Sequence, residues 1–157
     1  MSVVDYIKVI VAAGIVATTT MTLFVLLINR MSEKRLNVIR ILGTMLTGQT
    51  SAYRSTSGSA GSLAVGIIAH YMVGFLFLTI YVISWENDWL GYSLTDSAII
   101  GFVTGLFGIV VWRIYFSIHG FPPSVHLGLY LTVILLGHVL FGVSAGWIYQ
   151  LMTARGT

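Results

Sequence analysis

Apolar residues run along this chain in four long blocks, at about 9–29, 62–85, 97–118 and 127–150, each broken by few or no charges. A helix needs about 20 such residues to cross the ~30 Å hydrocarbon core of a bilayer. In lipid the backbone must satisfy its own hydrogen bonds, which leaves only helices or a closed barrel. A barrel would be written in short alternating segments, and the chain has none. The pattern predicts an all-α fold, a four-helix transmembrane bundle in a single domain over 1–157. The first block is longer than the apolar part of a secretory signal. Its Asp5/Lys8 start is not a basic leader either, so it reads as a retained helix.

Between the first two blocks the period changes. Leu36, Ile39, Leu42, Met45 and Leu46 fall at helical spacing over 33–46, and Lys34, Arg35, Asn37, Arg40 and Thr44 lie largely between them. With Ser32 as N-cap, this predicts an amphipathic interfacial helix whose basic residues meet anionic head groups. The alternative is a helix that caps the bundle or docks a partner. Residues 47–61, rich in Gly, Ser and Thr, read as a flexible link. Pro122–Pro123 forces an extended break before the last block.

Charge adds orientation. Only 8% of residues are charged against 57% apolar, too few to cover a soluble fold of this size, where ~25% is usual. Arg30, Lys34, Arg35, Arg40, Arg54 and Arg113 fall on one side of the four blocks, and Lys8 and Arg155 on the other. Basic residues in short loops mark the cytoplasmic side, so the 30–61 and 119–126 connections are expected inside and both termini outside. Trp85, Trp89 and Tyr92 sit where an outer aromatic belt would lie. Arg113, about a turn inside the third block, is expected to snorkel to the inner interface. Topology accounts for a net charge of +3 without nucleic acid as a partner.

The second and fourth blocks share a motif. His70, Gly74 and Tyr81 are spaced as His138, Gly142 and Tyr149, and Gly14–Thr18 and Gly101–Gly105 give a weaker match between the first and third. The chain therefore reads as two repeated helical hairpins of equal orientation, related by a pseudo-twofold axis along the membrane normal. Gly66, His70 and Gly74 share one helix face, as do His138, Gly142 and Gly146. Gly101 and Gly105 do the same in the third block, and small residues at this spacing let helices approach closely. Both histidines then point inward and face each other at similar depth.

An ionisable side chain in a span marks a candidate site. His70 and His138 could be axial ligands of a haem b, with the basic loops meeting its propionates. They could equally bond backbone carbonyls or Ser/Thr hydroxyls of neighbouring helices, or serve a metal or a proton path. A closed zinc site wants four ligands, and the spans offer no carboxylate to complete one. His119 and His126 flank the Pro-Pro loop as a surface metal pair or as solvated residues. Thr18, Thr19, Thr20 and Thr22 either line a polar path or bond their own helix. Tyr81 and Tyr149 read as interface anchors. No cysteine is present, which removes thiol chemistry, and nothing resembles a phosphate loop or a catalytic triad.

Gly14–Ile15–Val16–Ala17–Thr18, Leu42–Gly43–Thr44–Met45–Leu46, Ala69–His70 to Gly74 and Tyr81, Gly101 to Gly108 with Trp112, and Gly137–His138 to Gly142 and Tyr149 run through most of the chain. In these residues it resembles a group of short bacterial integral membrane proteins known only as a domain of unknown function. The resemblance implies a four-helix fold in the bacterial cytoplasmic (inner) membrane and brings no activity. Related sequences carry more Met and Pro around the interfacial segment. Three functional classes follow: a non-enzymatic accessory, assembly or structural subunit, contacting lipid and other membrane subunits or itself; a haem-carrying electron-transfer subunit; and a small oligomeric channel or carrier.

The lack of cysteine makes the topology directly testable. A thiol placed by Ser51→Cys or Ser124→Cys is expected to react with a membrane-impermeant maleimide only once the cytoplasmic side is opened, and Asn87→Cys on intact cells. The opposite pattern inverts the orientation.

Overall fold

The computed structural model describes residues 2–32 and 36–153. Those residues form five helices: α1 (Val3–Ser32), α2 (Val38–Thr47), α3 (Ala60–Glu86), α4 (Leu94–Ile118) and α5 (Leu127–Thr153). All but α2 are long and apolar enough to cross a membrane. Each long helix overruns its apolar block by up to six residues at an end, because polar residues at the ends still continue the backbone ladder. Ser93 caps α4 by accepting from the Asp96 amide at 3.2 Å, and Ser59 caps α3 by accepting from Ser62 at 3.1 Å. Among the described residues there is no strand.

α1 is the central helix. Val9, Ala13, Ala17, Met21 and Val25 recur every fourth residue along it and are all buried. That stripe packs on both α3 and α5, while α4 packs on α5 and α2 on α3. The neighbours therefore run α4, α5, α1, α3. A twofold relation between the hairpins would make α3 and α4 pack as α1 and α5 do, but α3 and α4 do not pack along their length. The packing departs from the expected symmetry at this seam.

Glycine sets the closest contacts. A Cβ on Gly142 would overlap the Ser97 carbonyl oxygen, and one on Gly101 the His138 carbonyl, so α4 and α5 touch backbone to backbone. Gly43 and Gly66 do the same for α2 and α3, against the carbonyls of Ser62 and Ile39. Gly74 receives the Thr18 side chain, Gly105 faces Leu135, and Gly146 faces Ser97. All six glycines singled out above are spent on contacts within the chain.

Three sequence expectations change here. Ser32 is the last residue of α1, and the N-cap of α2 is Asn37, whose side chain accepts from the Arg40 amide at 3.1 Å. The second helix therefore covers 38–47, not 33–46; Lys34 and Arg35 lie outside the described residues. Its apolar side, with Val38, Ile41 and Met45 buried, is turned onto protein instead of lipid, and Leu46 alone of its larger apolar side chains is exposed. Gly48 ends it in the left-handed region at φ 66°, where glycine carries no steric cost.

The 48–59 segment, read as a flexible link, is cross-bonded. Gln49 accepts from the hydroxyls of Ser57 and Ser59 at 3.0 and 2.7 Å, and Ser57 donates its amide to Thr44 at 2.8 Å. It is also tied to the Pro-Pro loop: Ser124 donates to the Arg54 carbonyl at 2.7 Å, and the Arg54 guanidinium sits 5.0 Å over the Phe121 ring.

At the opposite end of the bundle, Glu86 binds two helices to its own. Tyr6 of α1 donates to one carboxylate oxygen at 2.7 Å and Tyr149 of α5 to the other at 2.6 Å. Trp85, expected in the aromatic belt, is only 2% exposed and stacks 4.7 Å from Tyr149. Trp89 and Tyr92 are exposed.

Because only backbone opposes a side chain at Gly142, Gly142→Val should destabilise the bundle by about 1–3 kcal/mol, read as a lower unfolding midpoint in detergent. Gly128→Ala has open space around it and should change stability by less than about 0.5 kcal/mol.

Candidate functional site

The unpacked seam between α3 and α4 holds a cavity of about 460 Å³. Its two lips are Val73, Leu76 and Ile80 on α3 and Phe107 and Val111 on α4, all exposed on the outer face of the bundle. At one end α2 contributes Val38 and Leu42, with Trp112 and Tyr115 opposite. At the other, the Tyr81 and Thr104 hydroxyls share a hydrogen bond of 2.5 Å, and the Thr104 hydroxyl also lies 2.9 Å from the Ile100 carbonyl. That bridge closes the seam on the Glu86 side. Tyr81 is therefore no interface anchor; it is fully buried.

The cavity floor carries both histidines, His70 from α3 and His138 from α5. Each is 8% exposed, and each is held through one ring nitrogen. His138 Nδ1 lies 2.8 Å from the Ile134 carbonyl. A carbonyl only accepts, so Nδ1 carries the proton and Nε2 keeps its lone pair in the neutral ring. His70 Nε2 lies 3.0 Å from the Thr22 hydroxyl, and that hydroxyl also lies 2.7 Å from the Thr18 carbonyl. This contact is compatible with both tautomers of the His70 ring, since the Thr22 hydroxyl accepts from Nε2–H in one and donates to a bare Nε2 in the other.

The second nitrogen of each ring has no protein partner, yet neither belongs to the polar atoms that are both sealed and unbonded. Gly108 explains the opening at His138, since a Cβ there would lie 3.4 Å from Nε2. Phe77 holds the same ring edge-on at 5.8 Å between centroids. On the floor of an otherwise apolar, largely aromatic groove, His138 thus presents a fixed acceptor and His70 a second ring nitrogen without a protein partner. They are not equivalent, because one is locked through Nε2 and the other through Nδ1.

The remaining candidates fall elsewhere. His119 contacts the Met45 carbonyl at 3.1 Å through Nε2, and His126 accepts from the Leu129 amide at 3.3 Å at the start of α5. These two histidines serve the loops, and among the described residues no three His, Cys, Asp or Glu side chains converge as a metal site. Arg40 donates to the Ser57 carbonyl at 3.3 Å and lines a separate polar hollow with Asn29 and Asn37. Arg113 is exposed five residues before the end of α4 and does not line the groove. Thr22 bonds its own helix as expected, whereas Thr19 pairs with the Tyr71 hydroxyl at 2.8 Å.

Sequence reasoning missed Gly108, Phe77 and Trp112 as parts of the site. Gly108 had a signal: with Gly101 and Gly105 it forms an i, i+4, i+7 stripe on one face of α4. Comparison with protein-family models, with curated proteins and with solved structures returned no match.

Thr22→Val removes the partner of His70 Nε2 while keeping the side-chain shape. The expected cost is about 0.6 kcal/mol and no more than about 1.7, measured by reversible unfolding in mixed micelles. A larger loss would mean that the imidazole holds α1 and α3 together by more than this one bond.

Proposed function

We propose that this chain is a non-enzymatic multi-pass membrane protein that holds a lipophilic small molecule in the groove between α3 and α4. The observation that carries it is the open seam itself: an apolar cavity with exposed lips that ends on two imidazole nitrogens without protein partners. With helices that cross a bilayer, those lips face acyl chains, so a ligand enters sideways from lipid. A transmembrane helix of another subunit is a poorer occupant. It would need a seam open from end to end, and the Tyr81–Thr104 bridge closes one end. The glycine faces that suited subunit packing are already used inside the chain. An accessory role in a larger complex remains compatible with this reading, through ligand delivery or retention.

Haem b is the second reading, favoured by the two ring nitrogens without protein partners. A macrocycle brings four nitrogens of its own and needs only axial ligands from protein. The groove lining, however, contains no Lys or Arg to meet two propionates. A channel or carrier has least support, since the lining offers few polar groups for an ion or polar solute to follow.

The test is extraction in polymer-bounded native lipid discs, without detergent, followed by solvent extraction and mass spectrometry. Wild-type discs should yield a lipophilic compound at near-equimolar amount, and Gly108→Leu, which fills the space beside His138, should lose it while remaining folded. Bulk phospholipid alone in the wild type would overturn the proposal. A Soret band lost in His70→Ala or His138→Ala would replace it with the haem reading.

A further inference from the structure

The hydrogen-bond directions at the groove floor restrict what can sit there. His138 Nε2 is an acceptor while the ring is neutral, because Nδ1 is committed as a donor to Ile134 O, and His70 Nδ1 is a second ring nitrogen without a protein partner, an acceptor in the tautomer that donates Nε2–H to Thr22. The lining's donors without a protein partner, the Trp112 indole and the Tyr115 hydroxyl, belong to the α2 end of the groove, and the Thr18 hydroxyl on its wall is sealed against Gly74. At His138 Nε2 a ligand head of carbonyl or ether oxygens would bring lone pairs against a lone pair. In a low-dielectric site an unpaired polar group is costly. A head that carries O–H donors satisfies both sides at once.

The walls select the shape of that head. Phe77, Phe107, Trp112, Tyr115 and Phe141 line the groove around the histidines, and aromatic rings pack best on another ring, edge-on or offset. Gly108 leaves the approach to Nε2 free of a side chain. Beyond the rings, the exposed lips Val73, Leu76 and Val111 offer an apolar track for a hydrocarbon tail leading into lipid.

Resting on the groove-binding role above, we propose that the ligand belongs to the lipophilic hydroquinones: a hydroxylated aromatic ring with an alkyl or isoprenoid tail, one hydroxyl donating to His138 Nε2 and the other facing His70 Nδ1. The step is binding alone, with no bond made or broken and no electron moved. It implies selectivity for the reduced form. The oxidised quinone has the same tail and nearly the same outline, but its carbonyls can only accept.

The full chain in mild detergent is titrated calorimetrically under argon with three probes: a decyl-substituted benzohydroquinone, its quinone and its dimethyl ether. One donated hydrogen bond to a buried acceptor is worth about 1–1.5 kcal/mol, so the hydroquinone should bind about tenfold more tightly than either of the others. His138→Phe keeps a ring of similar size and should bring the three to within about twofold, mainly by weakening the hydroquinone. Equal affinities of the wild type for all three probes, or a preference for the quinone, would overturn the hydroquinone assignment and leave the groove as an apolar site. Absence of binding by any probe would instead count against the groove-binding role. If His138→Phe does not fold, the comparison of hydroquinone with dimethyl ether on the wild type decides alone.

Discussion

Backbone contact between α4 and α5 is the constraint on which the rest of this structure depends. Gly101 and Gly142 bring the two backbones together at the Ser97 and His138 carbonyls, and Gly146 admits the Ser97 side chain. Between lipid-facing helices there is little hydrophobic gain, and such close approach is what association relies on. α4 is committed to α5 and does not lie along α3. The short 87–93 turn keeps the two ends together, but the helices stay apart along their length. The groove is the space left by that choice. Its polar floor follows too, because the same contact sets His138 beside Gly108.

Polar groups inside the bundle are few, and their directions matter more than their strength. Interhelical hydrogen bonds in membranes average only about 0.6 kcal/mol, so the His70–Thr22 and Tyr81–Thr104 bonds contribute little to holding helices together. They do fix geometry. The first holds the His70 ring, the second shuts one end of a seam, and the His138–Ile134 bond aims a lone pair. The Glu86 carboxylate differs, because charge-assisted bonds are about twice as strong as neutral ones. It binds Tyr6 and Tyr149 at once and so gathers α1, α3 and α5 at one end of the bundle.

At the other end the loops do the gathering. α2 lies against the first turns of α3 through Gly43 and Gly66, and the serine-rich segment after it bonds back to Thr44. Through Arg54 and Ser124 that segment also reaches the loop between α4 and α5. Two helices that do not pack along their length are therefore linked at both ends, by loops on one side and by Tyr81 with the 87–93 turn on the other. The groove between them is bounded at its ends and open on its flank.

The four long helices were legible in the sequence because a run of apolar residues has one stable outcome in lipid, whatever surrounds it. The inward placement of His70 and His138 was legible as well, since glycines four residues away mark a helix face that has close neighbours. Other features needed the assembled bundle. Ser32 and Asn37 are both acceptable caps, and only the length of α1 decides between them. Trp85 and Tyr81 look like interface residues until Glu86 and Thr104 supply partners from other parts of the chain. The repeat predicts equal roles for the two histidines. The tertiary structure makes them unequal, because Thr22 stands beside one and a carbonyl of its own helix beside the other. Local sequence sets which residues can bury themselves and, at His138, which nitrogen keeps a lone pair; partners distant in sequence decide what stands beside His70 and which seam stays open.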